Sequence, residues 1–160
     1  AMFIYGLAKG KALGLCGAKE EAAARESMDA LWQKNVVTAA DGYPARTLSI
    51  EGMTLLEEKK ETVRMGGAEC HIVTRVYAAE NGLQATAVSA VPAAYIERLS
   101  AEGWQAQLVT GFAIGETDAV YARSGENAML CAKDGETVYM IIAQADEQTL
   151  YALGVDAETK

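Results

Sequence analysis

The one histidine of this 160-residue chain, His71, directly follows Cys70. A thiol near an imidazole is a starting point for nucleophilic catalysis, since a neutral imidazole can accept the proton that turns a thiol into a thiolate. The surrounding CHIVTRVYA, Cys70 to Ala78, alternates and is rich in β-branched residues, which reads as a strand. Neighbours on a strand point to opposite faces, so Cys70 and His71 are not expected to meet each other. Cys16 and Cys131 lie far from Cys70 in sequence and form no zinc-ligand spacing with it. The three cysteines therefore read as buried structural residues, and their odd number and wide separation favour a reducing compartment.

Two further patterns with chemical potential lead to the same place. GLAKGKALGLCG repeats glycine at Gly6, Gly10, Gly14 and Gly17, but only three residues separate Gly6 from Gly10, and Ala12 follows Lys11. A phosphate loop needs four residues between its glycines and a hydroxyl after the lysine, so close packing explains these glycines better. Glu116, Asp118, Glu126 and Asp134 fall in expected turns without a partnering base, which leaves no general acid and base to nominate. The residues thus name no catalytic, cofactor-binding or metal-ligating side chain, no cofactor is expected, and the expectation is a protein that is not an enzyme.

The elements that would position such residues follow from period and turn chemistry. After the Cys70 strand, Glu80-Asn81-Gly82 is a hairpin turn and Leu83 to Val91 (LQATAVSAV) alternates again. Pro92 then opens AAYIERLSAEG, a helix expected to bury Tyr95, Ile96 and Leu99 and to stop at Gly103. The layout recurs where Ala128 to Ala132 leads through Lys133-Asp134-Gly135 to Thr137 to Ala143, with Asp146 as N-cap of EQTLYALG and Leu150 and Leu153 turned inward. A weaker copy opens the chain: FIYGLA, a Lys9-Gly10 turn, ALGLCG and a helix from about Lys19 to Lys34. The expected fold class is α+β, one antiparallel sheet built from repeated hairpin-helix units with helices packed on one face. The expected organisation is a single domain over residues 1–160, with possible sub-lobes 1–68 and 69–160. Trp32 and Trp104 read as core anchors or interface residues.

Composition bounds the partners. The chain is 51% hydrophobic and 22% charged, as folded globular proteins are, and its net charge is −8. Up to Ala68 the nine basic and nine acidic residues cancel; from Glu69 onward five face thirteen. An acidic surface repels phosphate backbones and anionic lipid, so neither nucleic acid nor membrane is an expected partner. MFIYGLAKGKALGLCG is interrupted by Lys9 and Lys11 before it reaches a spanning length of about 20 residues. Those charges also sit inside the apolar run, unlike those of a signal peptide, so a cytoplasmic location is expected.

Two resemblances add to this. LWQKNVVTAADGYPARTLSIEGMTLLEEKK, Leu31 to Lys60, reads as a helix end, an Asp41-Gly42 turn, a short strand at Arg46-Thr47-Leu48 and a helix capped by Ser49. It resembles the second half of winged-helix domains, and Glu57-Glu58-Lys59-Lys60-Glu61 would then be a solvated helical face. The helix in the recognition position, Lys19 to Lys34, carries three basic and four acidic residues, which disfavours reading DNA. Over Ala22 to Glu102 the order of helix, ALWQKNVVTAADG, Leu-rich helix, hairpin and helix looks like that of EspG-type chaperones of type VII secretion. That resemblance implies a non-enzymatic cytoplasmic protein that binds another protein through its sheet and loops. The expected function is a protein-interaction or chaperone-like module that binds another protein or itself; the alternative is a transcription-regulatory protein with a degenerate winged-helix segment.

Overall fold

The computed structural model describes residues 38–65, 67–93, 104–107 and 111–160, together with Lys19, Ala22 and Ala23. Its contacts divide the chain into two compact units, Ala1–Val36 and Val37–Lys160, and the fold below is that of the second. In chain order its strands are β1 Leu48–Ile50, β2 Thr54–Met65, β3 Ala68–Ala78, β4 Gln84–Val91, β5 Gln105–Gln107, β6 Ala113–Ile114, β7 Thr117–Ser124, β8 Asn127–Asp134 and β9 Thr137–Ala143. Helix α1, Glu147–Val155, and a last strand β10, Ala157–Thr159, complete the described elements.

The main sheet is antiparallel in the order β2-β3-β4-β9-β8-β7-β5, with β6 paired to β7. Two meanders meet in its middle: β2 to β4 fold back on one another, and the chain re-enters at the far edge and returns through β7, β8 and β9 to pair with β4. β1 and β10 form a separate two-stranded ribbon.

Period-2 alternation gives this sheet two apolar faces, which is why the buried residues fall into two clusters. The first takes Tyr77, Ala85, Ala87, Tyr121, Leu130, Tyr139 and Ile141 from the sheet and is covered by Leu48 and Ile50 of β1, Ile114 of β6, Leu150 and Leu153 of α1, and Ala157 of β10. The second holds Cys70, Ile72, Val88, Ala90, Met129, Val138 and Met140, with Ala93 and Trp104 packed among them. Alanine at positions such as 85, 87, 128, 132 and 143 lets the ribbon and helix approach the first face closely.

The expected α+β class with several helices on the sheet is corrected by these strands: the fold is largely antiparallel β, and among the described residues α1 is the one helix that can be followed from end to end. The helix expected from Ser49 through Lys60 is replaced by β1, a Glu51-Gly52 turn with Gly52 at φ 74, and β2. Glu and Lys favour helices intrinsically, but β2 lies against the full length of β3 and that pairing prevails. The helix that the winged-helix likeness places after Ser49 is therefore not formed. The charge run instead pairs at strand spacing, Lys59 with Glu61 two residues on at 2.7 Å, and across the strands, Glu58 with Arg75 at 2.7 Å.

Other expectations match the structure. Both hairpins form, and their turn glycines sit at positive φ, 85° at Gly82 and 58° at Gly135, where a side chain would be strained. Asp146 caps α1, its carboxylate accepting from the Thr149 N–H at 2.8 Å, and Leu150 and Leu153 are buried. The Ala68/Glu69 sub-lobe boundary runs through β3. The helix expected after Pro92, the N-terminal copy of the unit, Cys16 and Trp32 lie outside the described residues.

Candidate functional site

The only histidine sits in the most interconnected polar cluster among the described residues. Residues 38–47 form a tight loop in which Thr38 bridges Pro44, the Gly42 N–H donates to the Ala39 carbonyl at 2.9 Å and the Ala39 N–H donates to the Tyr43 carbonyl at 2.8 Å. Gly42 takes φ 84, and the Asp41 carboxylate accepts from the Tyr43 N–H at 3.2 Å, a local bond that favours turns. This loop meets β2 and β3 where Lys60, Thr62 and His71 lie on one side of the sheet, Thr62 being registered opposite His71.

Four contacts hold it there. Lys60 Nζ donates to Asp41 Oδ2 at 3.0 Å and stands 5.1 Å from the centre of the Tyr43 ring. Tyr43 meets the His71 ring edge-on, centroids 5.3 Å apart. Thr62 Oγ1 lies 3.0 Å from His71 Nδ1 and 3.3 Å from the Tyr43 hydroxyl, a chain of phenol, hydroxyl and imidazole. A side chain on Gly42 would begin 3.4 Å from His71 Nε2, so Gly42 faces the other end of the ring. Asp41 titrates below its ordinary value, first because Lys60 donates to it and then because the Tyr43 N–H does.

Chemically this is a clasp. The group that orients His71 is a hydroxyl and not a carboxylate, and the nearby carboxylate, Asp41, is engaged with Lys60. These contacts fix the loop on the sheet.

A second polar set anchors β1. The Thr47 N–H donates to the Lys160 carbonyl and the Lys160 N–H to that of Thr47, so the next residue, Leu48, directs its backbone groups away from β10. Its N–H donates to Ser89 Oγ at 3.0 Å, and its carbonyl accepts from Arg75 at 3.1 Å and from the Tyr77 hydroxyl at 3.2 Å. Three sheet side chains thus stand in for a neighbouring strand. Ser89, 1% exposed, was missed in sequence although it is the one polar residue in the apolar AVSAV.

The residues weighed for chemistry are dispersed. Cys70 is fully buried on the second face and His71 is half-buried on the first, as strand alternation requires. Glu116 and Glu126 lie in turns, Asp118 is on β7, and Asp134 pairs with Arg46 at 3.5 Å. No group of three or more His, Cys, Asp or Glu side chains suited to a metal occurs among the described residues. Burial pushes the Cys131 thiol from 9.0 to about 11.

That shift has a measurable consequence. At neutral pH the Cys131 thiolate is scarcer than that of an ordinary thiol by about 100-fold, so alkylation mapped by mass spectrometry should be slow in the folded protein and fast once it is denatured. Because the thiol stays protonated in the folded chain but ionises near pH 9.0 in the unfolded one, its effect on stability is constant below that pH and falls away as pH rises toward 11. Rapid alkylation of native Cys131 would contradict its burial.

No protein-family model matches the chain, and no curated protein sequence matches it.

Proposed function

We propose that this chain is a non-enzymatic protein-interaction module that acts in the cytoplasm by binding another protein or a second copy of itself. The observation that carries this reading is the pair Leu55 and Leu56, 47% and 57% exposed on β2 at the end of the sheet. Two adjacent large apolar residues on an edge strand are costly to leave in water and are useful in a contact. The Asp41–Tyr43–Lys60–Thr62–His71 clasp supports the reading from the other side, since its side chains are committed to holding a loop. The net charge of −8 supports a protein partner over nucleic acid or anionic membrane. Among the described residues no helix is long and apolar enough to cross a membrane. The chaperone-like role implied by the EspG-type resemblance is a narrower form of the same proposal, although the Leu-rich helix in that resemblance is a strand here, β2.

A photo-reactive residue in place of Leu56 tests it in the source cell. A discrete covalent adduct with one protein is expected, whether of this chain or another. The absence of any adduct there, with the variant folded and at its native level, would overturn the reading.

A further inference from the structure

We propose that β2 is the surface on which two copies of this chain associate, edge to edge and antiparallel, in a register centred on Lys60. The proposal rests on the interaction-module reading and names its partner. Among the described strands β2 has one neighbour, β3, and residues 54–60, 62 and 64 are all exposed. Edge strands commonly carry charge and a bulge that discourage unwanted pairing. This one has both, with an irregularity between Leu55 and Glu57 that leaves Leu56 outside the ladder with β3.

The charges on this edge differ from those of the whole molecule. Glu57, Glu58 and Glu61 are balanced by Lys59, Lys60 and Arg64, so β2 is neutral in a chain of net charge −8. Two such chains repel, and the repulsion is weaker where the facing surfaces are neutral.

The order of the charges selects a register. A two-fold axis normal to the sheet puts facing residues on the same side, so from Glu57 onward, past the irregularity, the numbers of two facing residues must sum to an even number. Centring on Lys59 sets Glu57 against Glu61 twice, centring on Glu57, Glu58 or Glu61 sets that carboxylate against its own copy, centring on Thr62 sets Lys60 against Arg64, and centring on Leu56 or Val63 brings no opposite charges together. Centring on Lys60 sets Lys59 opposite Glu61 twice, Glu58 opposite Thr62 and Glu57 opposite Val63, with no carboxylate facing another. The two central lysines face each other, but each ammonium is already held by its own Asp41 at 3.0 Å, and each has Glu58 of the second copy on its diagonal. Leu56, displaced by the irregularity, then falls near Arg64 of the second copy, whose aliphatic stem can cover it.

Sedimentation of the full chain over a concentration series should show a monomer–dimer equilibrium. Lys59→Glu or Glu61→Lys alone sets like charges opposite each other and should weaken association at least roughly tenfold. The double exchange restores both pairs and should return it to the parent value. Lys60→Cys places two thiols on the axis, where directly opposed Cα atoms lie about 4.5 to 5.5 Å apart, within disulfide reach. Mild oxidation should link that variant into a dimer, while Lys59→Cys and the parent chain stay unlinked. A chain that is monomeric throughout, a dimer indifferent to the charge exchanges, or linking through Lys59→Cys in place of Lys60→Cys would overturn the proposal. A monomeric chain that still forms a Leu56 adduct with a different protein would overturn self-pairing and leave the interaction reading standing.

Discussion

Replacing Gly154 with alanine is expected to destabilise the protein by about 1 to 3 kcal/mol or more, the range for an overpacked core, although alanine is the better helix former by about 1 kcal/mol. Gly154 is buried in the last turn of α1, and a Cβ there would collide with the Ala113 carbonyl oxygen and stand 2.7 Å from Leu130 Cδ1. The leucine methyl can turn aside. The carbonyl belongs to β6, whose pairing with β7 holds it, so α1 would have to lift from the sheet. Lifting it strains the bond from the Gly115 N–H to the Gly154 carbonyl, 3.0 Å long, and loosens Leu150 and Leu153 from the first core. For a chain of this size each kcal/mol moves the melting midpoint by about 2 to 4 °C, so a fall of several degrees is expected by calorimetry. Val155→Ala, one residue on and 57% exposed, should change stability by no more than about 0.5 kcal/mol. A midpoint that rises with Gly154→Ala would mean that α1 does not sit against β6.

What could be read from the sequence was local. Asp146 before EQTLYALG, the Asn81-Gly82 turn and Gly135 each fix the backbone within a few residues; the first two appear where expected, and the third turn is Gly135-Glu136, with Lys133 and Asp134 ending β8. Alternation around Cys70 and His71 separated those two side chains for the same reason. β2 was illegible because TLLEEKKETVRM carries neither an apolar alternation nor a buried face; it is a strand because β3 lies beside it. The Gly66-Gly67 pair before AECHIVTRVYA was the available signal, a hairpin turn that a helix ending at Lys60 left without a first strand.

The candidate site was hidden for a different reason. Asp41, Tyr43, Lys60, Thr62 and His71 become neighbours only once β2 and β3 are in register and the 38–47 loop has folded over them. Their types follow no recognised spacing, since what joins them is a cross-strand position and a turn. Leu48 makes the same point about the backbone. Its N–H and carbonyl look unremarkable in sequence, yet they are what Ser89, Arg75 and Tyr77 are placed to satisfy.

Leu150→Ala should cost about 2 to 5 kcal/mol, the range for a buried leucine that leaves a cavity. Leu150 is 0% exposed and joins the cluster that α1 shares with β6, β8 and β9. A helix of nine residues has little stability of its own, because isolated helices shorter than about 12 to 15 residues are marginal in water. α1 therefore persists because the sheet holds its inner side chains, with the Asp146 cap adding a smaller local contribution. Asp146→Ala measures that contribution separately and should cost about 1 kcal/mol. In urea the Leu150→Ala midpoint should fall clearly further than that of Asp146→Ala, with the slope of the transition unchanged if the unfolded state is not altered. A loss of 2 to 5 kcal/mol is a large share of the roughly 5 to 15 kcal/mol that stabilise a typical domain. Equal losses from the two variants would mean that α1 is held by its cap, and the first core would then have to close without it.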